Sequence, residues 1–155
     1  MRTKILPEID NVEITTENLD NTNISSEKSV EVYILNENKE FIIVFSGPKD
    51  EFCKVLTGNL KEKETFEEAA IRQAKEKLGI DVQIISVSKH TYESDIGKGK
   101  SIIAKLNPPH QHLKMQTEEI SGYKWIRKEK IYQYIGKLDQ LVQAEKIFKE
   151  FREYF

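Results

Sequence analysis

Gly58 to Ile80 read GNLKEKETFEEAAIRQAKEKLGI, a polar loop running into a helix whose two ends are both marked. Thr65 stands as an N-cap with Glu68 three residues on. In that capping-box spacing each side chain accepts a hydrogen bond from the other residue's backbone N–H, so two orphaned amide donors are satisfied. Glu67 and Glu68 fall in the first turn, where the helix dipole favours negative charge. Phe66, Ala69, Ala70, Ala74 and Leu78 form an apolar stripe, and Gly79 supplies a left-handed stop.

Strands flank this helix. Upstream, Val30, Val32 and Ile34 alternate with polar neighbours, which predicts a half-buried strand, and Phe41 to Phe45 is continuously apolar, which predicts a buried one. Phe52 to Leu56 reads as a further short strand. Downstream, strands are expected at Val82 to Val87, Ser101 to Leu106 and Gly122 to Ile126, with Gly97 to Lys100 as a hairpin turn. Two helices close the chain, a short one near Lys128 to Ile135 and a longer one near Leu138 to Tyr154. Leu138, Leu141, Val142, Phe148 and Phe151 mark the buried face of the second. Residues 1–28 are a polar lead-in with a short strand expected around Asn11 to Thr15, and 29–155 form the domain. The pattern predicts an α+β or three-layer α/β/α architecture.

Composition bounds the function. A chain of 155 residues is one domain's worth, and its single cysteine, Cys53, excludes a disulfide framework and a Cys-rich zinc site. No apolar run approaches the roughly 18 residues of a membrane span, and MRTKILPEID has no signal-peptide core. A cytoplasmic location without membrane association is the expectation. The formal charge of −2 lacks the basic footprint of a nonspecific nucleic-acid binder.

The spacing Gly58, five residues, Glu64, seven residues, Arg72 and then Gln73-Ala-Lys-Glu-Lys-Leu-Gly-Ile80 resembles the Nudix box, G-x5-E-x7-R-E-U-x-E-E-x-G-U, where U is a bulky aliphatic residue. Gly58, Glu64, Arg72, Glu76, Gly79 and Ile80 agree with it. The resemblance implies an α/β/α sandwich on a mixed sheet and ancestry in pyrophosphohydrolysis of nucleoside-diphosphate-linked substrates. It also implies Mg2+ or Mn2+ held by an acidic helix face. Here that face reads Gln73, Glu76 and Lys77 in place of three Glu, and its formal charges sum to zero. Hard divalent cations want anionic oxygens, Gln keeps only a neutral carbonyl, and Lys adds a repelling donor.

By the resemblance, Glu76, Glu119, Glu64 and Gln73 are the candidate metal ligands, with Glu76 and Glu119 as candidate catalytic carboxylates. Arg72 and Lys77 are the candidate substrate contacts. An ammonium at Lys77 can meet a phosphate directly as a point charge, or it can point to solvent over an eroded site. Arg72 and Glu64 equally fit a structural ion pair. His110 and His112 fall short of a zinc site, Gly97 to Lys100 lacks the helix of a P-loop, and Trp125 reads as core. Three outcomes stand side by side: a divergent hydrolase with weak or absent turnover, an inactive nucleotide- or phosphate-binding module, and an interaction surface for a homodimer or a protein partner.

Overall fold

The computed structural model describes residues 28–94 and 97–155. The lead-in up to residue 27, with the strand expected around Asn11 to Thr15, lies outside them.

Six strands form one sheet: β1 (Lys28–Leu35), β2 (Phe41–Ser46), β3 (Phe52–Asn59), β4 (Val82–Ser94), β5 (Gly97–Leu106) and β6 (Gly122–Ile126). Their spatial order is β4-β5-β1-β3-β2-β6. The β1–β5 pair is parallel, from Lys28↔Lys98 to Leu35↔Lys105, and the other pairs are antiparallel. Among the described residues three α-helices accompany the sheet: α1 (Phe66–Leu78), α2 (Ile131–Tyr134) and α3 (Leu138–Glu150).

The period of two along β1 divides the molecule into layers. Val30, Val32 and Ile34 pack with Ala69, Ala70, Ala74 and Leu78 of α1, and the small alanines let the helix lie close to the sheet. Tyr33 and Leu35 point the other way, into a core with Phe41, Ile103, Ile147 and Phe148 under α2 and α3. β1 is therefore buried on both faces except at Lys28, and the half-buried strand expected from its alternation is corrected. Of its polar positions, Ser29 bonds Tyr92 on β4, Glu31 accepts from Ser101 on β5 and the Tyr33 ring packs on Phe148 of α3.

Both ends of α1 are as expected. Thr65 Oγ1 accepts from Glu68 N at 3.1 Å, Glu68 Oε1 accepts from Thr65 N at 2.9 Å, and Gly79 adopts φ 67°. In that left-handed conformation the Gly79 and Ile80 amides reach back to the carbonyls of Lys75 and Ala74, which ends the helix.

Four further expectations need correction. Gly97 to Lys100 is the start of β5 and not a turn, because the parallel partner β1 and the antiparallel partner β4 both extend to it. The short closing helix is a 3-10 turn at Lys128–Lys130 followed by α2. The longer one ends at Glu150, with a second 3-10 turn at Arg152–Tyr154. On α3 the buried face is Ala144, Ile147 and Phe148, continued by Phe151, whereas Leu138 and Val142 are exposed. Among the described residues no helix is long and apolar enough to cross a membrane.

Candidate functional site

The end of β3 and the body of α1 meet around the carbonyls of Thr57 and Asn59. Arg72 organises the outer half of this junction. Its Nε and Nη2 donate to the two oxygens of Glu64 at 2.7 and 2.9 Å, Nη2 also donates to Asn59 O at 2.8 Å, and Nη1 to Glu76 Oε1 at 3.0 Å. A planar guanidinium can serve these acceptors at once because its donors form a fixed fork. Glu64 accepts in addition from the Lys61 amide at 2.8 Å. The hydrogen bonds from Arg72, with help from the Lys61 amide, pull its carboxyl down to about 2. Arg72 is thus engaged by Glu64, Glu76 and backbone, the structural pairing that the sequence left open.

Gln73 lies inward of Arg72 and is buried. Its Nε2 donates to Asn59 O at 3.3 Å, while Oε1 is buried without a partner. A Cβ on Gly58 would overlap the Gln73 carboxamide, so the glycine that opens the box is what lets helix and strand approach this closely.

Lys77, one turn further on, reaches the second of these carbonyls. Its Nζ donates to Thr57 O at 2.9 Å and pairs with Glu119 Oε1 at 3.0 Å. The lysine side chain is 17% exposed and that of Glu119 62%, so the cation is held by the fold and its carboxylate partner sits at the surface. Lys54 on β3 stands near enough that burial, and then the Lys77 charge, lower its pKa.

The expected ligand set is accordingly dispersed among other partners. Glu64 and Glu76 are taken up by Arg72, Glu119 by Lys77 and Gln73 by Asn59 O. Among the described residues no three His, Cys, Asp or Glu side chains are grouped so as to hold a metal ion. His110 and His112 are exposed in the loop after β5, and Trp125 packs at the margin of the α1-side core.

A cleft of about 710 Å3 opens next to Lys54 and Thr57, between β1, β3 and β4 on one side and α3 on the other. Ile135, Leu138 and Val142 give it an apolar flank, and Lys54, Lys137 and Lys146 bring ammonium groups to it. Glu31 and Ser29 line it from β1. The sequence reading missed Glu31 because alternation assigned it to solvent. The available signal was a carboxylate midway along an otherwise strongly hydrophobic strand. A smaller hollow of about 280 Å3 beside Trp125, Arg127 and Tyr134 shares no lining residue with this cleft.

Comparison with known proteins agrees with this architecture. The family model of the NUDIX domain matches residues 26–150. The chain belongs to the Nudix family. Among curated Nudix proteins it is similar to Nudix hydrolase 8 of Arabidopsis thaliana, 24% identical over 138 residues that cover 82% of this chain and 35% of that protein. It is also similar to Nudix hydrolase 2 of the same plant, 26% identical over 113 residues covering 67% and 40%. The chain therefore spans well under half the length of the curated relatives it matches. Two solved Nudix structures share the fold. A Nudix-family hydrolase from Clostridium perfringens is 20% identical with a TM-score of 0.64, covering 81% of this chain and 98% of that one. An Ap4A hydrolase from C. elegans is 20% identical with a TM-score of 0.65, covering 82% and 99%. Nudix hydrolases generally use divalent metals, whereas this helix face carries the Lys77–Glu119 ion pair.

Proposed function

We propose that this Nudix domain binds a nucleotide-like phosphorylated ligand through Lys77 without a resident metal, and that its hydrolytic turnover is weak or absent. The observation that carries the reading is the Lys77 ammonium, held between Thr57 O and the Glu119 carboxylate. A divalent cation wants several anionic oxygens in one place. The helix face offers one carboxylate already shared with Arg72, one carboxamide turned to backbone, and one cation. The residues present do not fit a Mg2+ or Mn2+ site.

The same arrangement suits an anion. Glu119 supplies Lys77 with an oxygen at 3.0 Å from a surface position, where a phosphate oxygen can replace it. Glu119 is 62% exposed, so water takes up its carboxylate once a phosphate oxygen displaces it from Lys77. Lys54 stands near enough to feel the Lys77 charge and adds a second positive charge to the approach.

Isothermal titration with pyrophosphate in EDTA tests the proposal. Binding is expected to survive the chelator and to weaken about tenfold or more in Lys77→Ala, the loss of one charge-assisted phosphate contact. Equal affinity in Lys77→Ala and wild type sinks it. A second reading, a divergent diphosphate hydrolase, draws on the exposure of Glu76 and Glu119, which leaves both carboxylates open to solvent. It predicts Mg2+-dependent release of phosphorylated products from ADP-ribose or a dinucleoside polyphosphate by the wild type. The double change Gln73→Glu with Lys77→Glu should raise that turnover, because it returns two carboxylates to the face beside Glu76.

A further inference from the structure

The smaller hollow runs along the free edge of the sheet. β6 is the last strand and pairs with β2 alone, so the backbone N–H and C=O groups of its outer side have no strand partner. Four consecutive residues, Lys124 to Arg127, line the hollow from that side, and Lys130, Gln133 and Tyr134 close it from the turn and helix that follow. The period of two sorts what this edge offers. Trp125 packs at the α1-side core and Ile126 lies in the α3-side core. Lys124 shares the α3 side with Ile126, and its ammonium lies 5.8 Å from the centre of the Tyr134 ring. Tyr123, 37% exposed, shares the α1 side with Trp125.

Positive charge is concentrated here. Gly122 to Lys137 read GYKWIRKEKIYQYIGK, with five cations against one acid, Glu129, in a chain whose formal charge is −2. Among the described residues no carboxylate pairs with Lys124, Arg127 or Lys130. Glu40 reaches the hollow from the start of β2, but its own turn engages it, since its Oε1 accepts from Asn36 Nδ2 at 2.9 Å. A lysine on an edge strand guards that edge against apolar strands. It guards against a second copy as well, because two β6 edges brought together would oppose two cationic strips. The same charge welcomes an acidic strand.

We propose that β6 is a docking edge for an extended segment of a partner protein in which acidic and apolar residues alternate. The segment adds to the sheet as a further strand, its backbone hydrogen-bonded to the outer side of β6. Its acidic side chains fall on the α3 side, opposite Lys124 and beside the hollow that Arg127 and Lys130 line. Its apolar side chains fall on the α1 side, against Tyr123 and Trp125. The pleat demands the alternation, because successive side chains of an added strand point to opposite faces. A uniformly acidic segment would turn carboxylates onto aromatic rings, whose negative faces repel them. A uniformly apolar one would desolvate Lys124 and give it no partner. This edge shares no lining residue with the cleft under α3, and the proposal stands without the phosphate-binding reading of Lys77.

Fluorescence anisotropy of the full chain with a labelled peptide of alternating glutamate and valine, blocked at both ends, tests the docking. Binding is expected, and a block peptide of the same composition, all glutamates before all valines, should bind about tenfold or more weakly. Only every second residue of an added strand turns its N–H toward β6. Methylating the backbone nitrogens of the glutamates in one peptide and of the valines in another should therefore cost one of the two about tenfold or more and spare the other. Equal binding of the alternating and block peptides overturns the proposal, as does binding of both methylated peptides at the unmodified affinity. In the chain, Lys124→Glu with Lys130→Glu should weaken the glutamate peptide about tenfold or more and create binding of a lysine–valine peptide that the wild type does not hold. Unchanged affinity for the glutamate peptide in that variant overturns the proposal. Should the variant fail to fold, the modified peptides decide the question on the wild type. A wild type that sediments as a dimer and binds none of the peptides also overturns it, and assigns the edge to a second copy.

Discussion

Glu64 and Glu31 are the same side chain in two environments. Glu64, on the α1 side of the sheet, faces a guanidinium that donates to both of its oxygens, and its carboxyl is pulled down to about 2. Glu31, on the α3 side, meets hydroxyls in place of a cation, and burial pushes it up to about 7. One carboxyl is committed as a charge that braces loop, strand and helix. The other is kept near the point where it gains or loses a proton. The contrast teaches that a charge on this scaffold is structural where a cation was built beside it and adjustable where only hydroxyls were.

The largest expected effect comes from removing the charge of Glu31. Its folded pKa lies above the unfolded value of 4.5, so the folded state holds the proton more tightly. The stabilisation linked to that proton is complete below about pH 4.5 and is lost as pH rises through about 7. Glu31→Gln should therefore match the wild type near pH 4.5 and exceed it by about 3 kcal/mol at pH 8. Urea titrations at the two pH values measure this, and parallel pH profiles would break the contrast between the carboxyls. Arg72→Ala comes next, because it leaves Glu64, Glu76 and Asn59 O without their shared donor. It should cost about 2 kcal/mol at pH 7. The depressed pKa of Glu64 reverses the sign of the pH effect: the stabilisation is present above pH 4.5 and fades as pH falls toward 2. The gap between Arg72→Ala and wild type should accordingly narrow in acid, and a constant gap down to pH 2.5 would show that the pair is not what depresses Glu64. The smallest change sharpens the comparison. Ser101→Ala removes the hydroxyl that donates to Glu31, should cost about 1 kcal/mol at pH 8, and should move the upper limb of the pH–stability curve to higher pH. An unmoved limb assigns the raised pKa to burial with no share for Ser101.

These two sites differ just as much in how legible they were in the sequence. The α1 site could be read almost residue by residue. Thr65 with Glu68, the apolar stripe and Gly79 act within one helix, and the loop that carries Glu64 joins it directly. What the spacing left open was whether Arg72 faces a substrate or a carboxylate, because that depends on where Asn59 O and Glu64 stand when β3 and α1 are packed. The α3 site was illegible. Period-two alternation on β1 predicted one wet face, and only the return of α3 over that face dried it. For the same reason Leu138 and Val142 looked like core: helical periodicity identifies a stripe but not whether a sheet or an open cleft lies opposite it.

The sequence by itself determined the caps of α1, the spacing of the box and the presence of Gln73 and Lys77 where the box pattern carries Glu, since these are matters of residue identity and of contacts a few residues apart. Tertiary structure decided the rest. Pairing of β1 with β5 drew Gly97 to Lys100 into a strand, where a side chain on Gly99 would overlap Ser29 and Tyr92. Packing of α1 on β3 gave Lys77 a carbonyl 20 residues away, and the loop before β6 gave it Glu119. Closure of α3 over the sheet took Glu31 out of water. The physical reason is common to all three: hydrogen bonding and desolvation act through space, and strand partners and covering helices come from distant parts of the chain.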